Sequence, residues 1–187
     1  MVAVIEALSV GPVNMVGNSM GGATTIGVAV KRPDLLKKAV LMGAAGIKSG
    51  EISPALASIV NYDFTREGMV KVCQALANAA FDIDPDMVAY RLELSLDPAT
   101  RAAYSATMGW VKQQGGLHYE HDFIRQVKAP CLVVNGKDDK VVPLSNALKF
   151  LELIDNSWGY IIPHCGHWAM LEYPEDFASE VTRFLKM

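Results

Sequence analysis

Long apolar runs are missing from this chain, and none approaches the roughly 20 residues needed to cross a bilayer. Its start carries no basic segment and no A-x-A-like cleavage site, so secretion is not indicated. Cysteine is scarce. Cys73, Cys131 and Cys165 match neither a disulfide framework nor a metal-ligand spacing. Cys131 opens an apolar run and reads as a small core residue. Charge of one sign is lacking as well: 17 basic residues against 20 acidic ones leave a net −3, with no basic stripe for nucleic acid. What is there is apolar and dispersed, 51% of 187 residues, enough for one domain with a substantial core. These features predict a cytoplasmic protein.

The densest chemical signal is Gly17-Asn18-Ser19-Met20-Gly21, which follows the apolar run Val13 to Val16. It reads as G-x-S-x-G on a strand-to-helix turn. A serine hydroxyl is a weak nucleophile, so it needs an exposed, sharply turned position beside a base and near N–H groups that stabilise an oxyanion. Small neighbours on both sides suit a tight turn whose helix packs close to the strand. Two later motifs complete the set. Gly136-Lys137-Asp138-Asp139 follows the apolar run Cys131 to Val134, and His164-Cys165-Gly166-His167-Trp168 follows Trp158 to Ile162. Serine, then acid, then histidine, each at a strand's end, is the chain order of α/β-hydrolases.

The order of elements predicts an α/β fold with a parallel sheet. Val2 to Leu8 reads as a helix, Val13 to Gly17 as a strand, Met20 to about Lys31 as a helix stopped by Pro33, and Lys38 to Met42 as a strand. The alternation then stops. From about Ile47 to Arg125 only helical segments are predicted, among them two that begin Asp84-Pro85 and Asp97-Pro98, an N-cap followed by proline. In the second, closed by Gly115-Gly116, Tyr104, Met108 and Val111 share one apolar face. Strand–helix alternation resumes at Ala129-Pro130. The reading is a core part over residues 1–46, a helical lid over 47–127 and a second core part over 128–187, with the lid above the active-site edge.

Several residues admit two readings. Asp138 and Asp139 both compete for the acid role. His167, flanked by Gly166, is favoured over His164 as the base, since a small neighbour permits close approach. A metal site on His164 and His167 lacks a third ligand. His118 and His121 read as surface or polar-contact residues. Met87, Val88, Tyr90, Leu92 and Leu94 cover one helical arc with Arg91 in its middle. A guanidinium there is either a structural ion pair or snorkelling side chain, or a clamp for a substrate carboxylate or enolate.

With these residues in view, the chain resembles the α/β-hydrolase superfamily over its whole length. More narrowly it resembles the meta-cleavage product hydrolases, which split carbon–carbon bonds in ring-fission products of aromatic degradation. The matching stretches are Gly17 to Thr24, Leu41 to Gly46, Gly136 to Pro143 and Ile161 to Phe177. Asn61 to Val70 and Ser157 to Met170 look closest to the carbazole-degradation type. The resemblance implies Ser19, Asp139 and His167 as the triad, with Asp138 a solvated or capping residue. It also implies the Met20 amide as an oxyanion donor, and Asn18, Trp168 and Arg91 around a dienoate substrate. The implied reaction adds water across a C–C bond of a 2-hydroxy-6-oxohexa-2,4-dienoate. No metal or organic cofactor is implied. The expected partner is that small molecule, with self-association into a homo-oligomer and no nucleic acid or membrane. A carboxylesterase or lactonase on the same fold is the alternative.

One departure stands out. The resembled family places several strands ahead of the elbow and takes its second oxyanion donor from one of those earlier loops. Here only a partial helix precedes Val13. The sequence therefore reads as the C-terminal two-thirds of an enzyme, with the second donor outside it and an unpaired edge on the nucleophile strand. An inactive truncated fragment is the corresponding alternative.

Overall fold

The strands expected near Val13, Lys38, Cys131 and Trp158 pair into one sheet in the computed structural model, which describes residues 1–48, 50 and 52–187. They are β1 (Val13–Asn18), β2 (Leu36–Met42), β3 (Cys131–Gly136) and β4 (Ser157–Ile162), in the spatial order β1-β2-β3-β4 and parallel throughout. The register aligns Gly17 with Leu41, Leu41 with Val133, and Val133 with Gly159. Among the described residues β1 and β4 are the edges.

The helices are α1 (Val2–Leu8), α2 (Met20–Lys31), α3 (Pro54–Val60), α4 (Arg66–Leu76), α5 (Pro85–Leu96), α6 (Pro98–Gln113), α7 (His121–Ile124), α8 (Leu144–Leu153), α9 (Ala169–Glu172) and α10 (Pro174–Lys186). Side-chain alternation along β2 and β3 divides the core between the two sheet faces. Leu41 and Val133 pack with Ile26 and Ala29 of α2 and with Ala147 and Phe150 of α8. Val40, Leu132 and Val134 pack on the other face with Val181 and Phe184 of α10. Every residue of β3 is buried, as a strand covered on both faces requires. Burying Phe150 and Phe184 stabilises the fold by about 1.5–3 kcal/mol each; both are almost wholly enclosed.

Helices α3 to α7 lie between β2 and β3 in the chain. Their starts follow local chemistry: the Asp97 side chain accepts from Thr100 N at 2.8 Å, and the Asp84 side chain from Asp86 N at 2.8 Å. The apolar faces of α3 to α6 form a separate cluster around Tyr62, Met69, Val72, Cys73 and Val88, closed by Val141, Val142 and Trp168 from the core loops, whereas Phe123 and Ile124 of α7 pack with the sheet core. Ser49 and Glu51, within the expected lid, lie outside the described residues. The buried arc of α5 is narrower than the helical wheel predicts. Val88 is buried and Arg91 and Leu92 half-buried, but Tyr90 and Leu94 are exposed. Among the helices α5 packs mainly on α4 and α6, with Val88 and Arg91 turned toward Trp168, and Tyr90 and Leu94 at the edges of its apolar arc meet solvent.

Candidate active site

All four strands end toward one edge of the sheet, and the loops leaving that edge carry the chemical groups. In open parallel sheets this is where ligands bind. Ser19 leaves β1 and immediately caps α2 with φ 55 and ψ −117, a conformation that costs a non-glycine residue about 1–3 kcal/mol and marks functional turns. The turn is held by Ser19 N donating to Met42 O at 3.0 Å and by Gly22 N and Ala45 N donating to Ser19 O. Gly17 permits the close approach of strand and helix: a Cβ there would lie 2.4 Å from Gly21 O and 2.6 Å from Thr25 Oγ1. Gly21 differs from expectation. A Cβ there would meet nothing within 4 Å, so crowding by the described chain does not demand glycine at that position. Met20 supplies the first N–H of α2, one of the donors that helix geometry leaves without an intrahelical acceptor.

Asp139 and His167 come together. Asp139 Oδ2 lies 2.7 Å from His167 Nδ1, and both side chains are almost fully enclosed. Asp139 Oδ1 accepts from Val141 N and Val142 N at 2.8 Å each, which fixes the carboxylate from behind. With that carboxylate as acceptor, Nδ1 carries the proton and the lone pair falls on Nε2. That atom is buried and has no hydrogen-bond partner among the described residues, Ser19 included. Serine and imidazole are nonetheless close in the fold. Met42 O holds Ser19 N, and a Cβ on the next residue, Gly43, would stand 2.8 Å from His167 Nδ1. Catalytic hydrogen bonds are often long before substrate binds.

The competing residues lie elsewhere. His164 is 88% exposed, and Asp138 accepts from Asn78 Nδ2 at 3.0 Å instead of capping a helix. His164 Nδ1 and Asp138 Oδ2 stand 4.0 Å apart. The Cys165 thiol, between the two histidines, is pushed up to about 12 by burial and by the carboxylates of Glu172, Asp139 and Asp138. It stays protonated and chemically quiet at neutral pH. No cluster of three or more metal-ligating side chains occurs among the described residues.

Two positioning features escape the sequence patterns. Glu172 accepts from Gly166 N at 2.8 Å, Asn78 N at 3.1 Å and Trp168 N at 3.2 Å, so one carboxylate gathers the backbone on both sides of His167 and the end of α4. His167 N adds a bond of 2.8 Å to Leu76 O. Gly43, at φ 48, is the residue whose missing side chain leaves room for the imidazole. Its place in the stretch Leu41 to Gly46 was visible; the ring it faces was not.

Arg91 lies over the Trp168 ring, with Cζ 5.0 Å from the centroid. Its Nε is buried without a partner among the described residues, and no carboxylate pairs with the guanidinium there. Asn18 donates through Nδ2 to Met42 O at 3.1 Å and also lines a cavity of about 830 Å³. That cavity runs from Asn18, Ser19 and Met20 beneath Leu56, Ile59 and Val60 to the α6 face made by Tyr104, Met108 and Val111. His118 reaches its wall as well. Arg91 and Trp168 are not on this wall, because their stacking packs the guanidinium back against the loop of His167.

A family profile described as alpha/beta hydrolase fold matches residues 1–174, and the chain belongs to that family. Within it, meta-cleavage product hydrolases are among its relatives. A 2-hydroxy-6-oxo-6-(2'-aminophenyl)hexa-2,4-dienoic acid hydrolase of Metapseudomonas resinovorans is 59% identical over 94% of this chain and 60% of its own length. A 2-hydroxy-6-oxo-2,4-heptadienoate hydrolase of Pseudomonas putida is 29% identical over 99% of the chain and 67% of its own. The crystal structure of a serine hydrolase involved in carbazole degradation, CarC, superposes with a TM-score of 0.88 at 55% identity, over 98% of this chain and 67% of that one. The chain thus spans about three-fifths to two-thirds of the length of these relatives. No helix among the described residues is long and apolar enough to cross a membrane.

Proposed function

We propose that this chain carries the nucleophile, base and acid of a serine-dependent C–C hydrolase. Its substrates are 2-hydroxy-6-oxo-6-substituted hexa-2,4-dienoates, the products of meta ring fission in aromatic degradation. The observation that carries the reading is the enclosed Asp139–His167 pair at 2.7 Å, held one residue away from the backbone that anchors the Ser19 turn. The two hexadienoate- and heptadienoate-hydrolase relatives named above support the substrate class.

In this reading the 2-hydroxyl gives up its proton as C5 gains one, turning the dienol into a 2-oxo-3-enoate. Ser19 Oγ then attacks the C6 carbonyl while His167 Nε2 takes the hydroxyl proton, and the Met20 N–H meets the developing oxyanion. Cleavage of C5–C6 leaves its electron pair in the dienolate, which becomes 2-hydroxypenta-2,4-dienoate on protonation. Water, activated by His167, releases the carboxylic acid from Ser19. Asp139 keeps the imidazole in the required tautomer. Asn18, Trp168 and Arg91 hold the dienoate end, the guanidinium offering a fork to its carboxylate.

The free cysteines support a reducing compartment such as the cytoplasm. Self-association into an oligomer belongs to the same proposal and is read by light scattering. The test of function is turnover of a yellow 6-aryl dienoate against p-nitrophenyl esters. Loss of the yellow absorbance by the unsubstituted chain, abolished in a folded Ser19→Ala, is expected. Ester turnover without dienoate turnover would establish the esterase reading instead.

A further inference from the structure

The cavity beneath α3 and α6 mixes apolar side chains with polar ones, Asn18, Ser19, Asn61, Lys112 and His118 among them, and one of its polar residues is buried. Asn146, in the first turn of α8, is 6% exposed and lines the cavity, yet its side-chain amide makes no hydrogen bond among the described residues. Five polar or charged residues are buried in the described chain: Thr25, Asn135, Asp139, Asn146 and His167. Only Asn146 of these faces the cavity. Asparagine at a helix start commonly turns back onto local backbone, but Asn146 caps nothing, and α8 begins without a side-chain cap. Its amide atoms are not among the fully enclosed unpaired atoms of the described residues, which are Arg91 Nε and His167 Nε2, so the amide opens onto the cavity instead of being sealed in the core. Such a group is retained most simply where something other than the protein completes it.

The position defines what that is. Asn146 follows the Val141-Val142 pair that closes the acid loop, and it shares the cavity with Ser19 while Arg91 and Trp168 lie off that wall. If the dienoate end lies toward Arg91, this cavity receives the group attached to C6. We propose that Asn146 is a specificity-determining residue that hydrogen-bonds an amino or hydroxyl substituent on the ring carried by C6. The inference rests on the function proposed above and deepens it. The amide oxygen accepts from an arylamine N–H, and its NH2 donates to a phenolic oxygen, so either substituent completes it. A ring with only carbon at that position leaves the amide unpaired. A site built around a hydrogen bond discriminates in this way against isosteres lacking it.

The test uses the acid released by cleavage as the probe. 2-Aminobenzoate, 2-methylbenzoate and benzoate are titrated into the chain by calorimetry or ligand-observed NMR. The amino compound should bind roughly three- to tenfold more tightly than its methyl isostere, the range of one neutral hydrogen bond. Asn146→Leu should erase that preference while changing benzoate affinity less than about twofold. The isostere comparison needs no variant, so a misfolded Asn146→Leu leaves the test standing. Equal binding of the amino and methyl compounds, or a preference that survives in folded Asn146→Leu, overturns the role of Asn146 and leaves the hydrolase reading intact. Absence of binding by all three acids likewise overturns the role of Asn146, while the hydrolase reading is judged separately, by the Ser19-dependent turnover of the dienoate.

Discussion

Replacing Glu172 with alanine should unfasten the loop of His167 without touching any reacting group. Its carboxylate holds the N–H groups of Gly166, Asn78 and Trp168 at 2.8, 3.1 and 3.2 Å. Alanine leaves all three donors to find water. At a net ~1 kcal/mol per bond the loss is about 3 kcal/mol, discounted little because the site is half-buried. For a domain of this size that lowers Tm by about 6–12 °C. Glu172→Gln keeps one acceptor oxygen. Placed on the side of Gly166 and Asn78, it retains two of the three bonds and should lose only about 1 kcal/mol. The order is therefore unsubstituted chain, Gln, then Ala. Thermal unfolding by circular dichroism measures it, with Glu93→Ala as the control at an exposed position. Imidazole displaced by even 1 Å is expected to cost about a hundredfold in turnover. Equal melting temperatures for the Glu172→Ala and Glu93→Ala proteins would refute the idea that this carboxylate organises the loop.

Gly43→Ala should be worse for activity than for folding. The new methyl would stand 2.8 Å from His167 Nδ1 and 3.2 Å from Asp139 Oδ2 at a φ of 48. About 1 kcal/mol of backbone cost is expected from the left-handed conformation, alongside a loss of turnover beyond about a hundredfold; steady-state kinetics and Tm check both. Asp97→Ala should weaken α6 at neutral pH but matter less in acid. The backbone N–H of Thr100, foremost, holds the Asp97 carboxyl below the usual range. A carboxyl depressed on folding contributes fully above its unfolded pKa of about 3.9, and the contribution is lost as pH falls through the folded value. Urea unfolding at pH 6 and pH 3 should show the gap between the two proteins narrowing; a constant gap would contradict it.

The core α/β architecture was legible because its signals are local. Apolar runs ending at Asn18, Met42, Gly136 and Ile162 mark strands, and the Asp-Pro starts at 84 and 97 mark helices. Aspartate order was harder. Local pattern leaves Asp138 and Asp139 side by side and the family resemblance favours Asp139; the bonds from Val141 N and Val142 N supply the physical reason in three dimensions. Glu172 was hidden for the same reason, since its partners include Asn78, which no local pattern brings near it. The arc of α5 was overdrawn because a helical wheel records which residues share a face and not how wide a neighbour covers it. Asn146 sits in an ordinary helix start, and nothing in the sequence shows that its amide opens onto a cavity.

The strand order implies a schedule for folding. Each of β1 with β2 and β3 with β4 pairs across a short connection, while β2 meets β3, Ala39 beside Cys131, only after roughly ninety residues have been looped out. Distant pairings of this sort are slow relative to local ones. The aspartate and the histidine both hang from the second pair, so their contact can form early. The serine rides on the first pair and joins them when the central seam closes, which makes that seam the step on which a working centre waits.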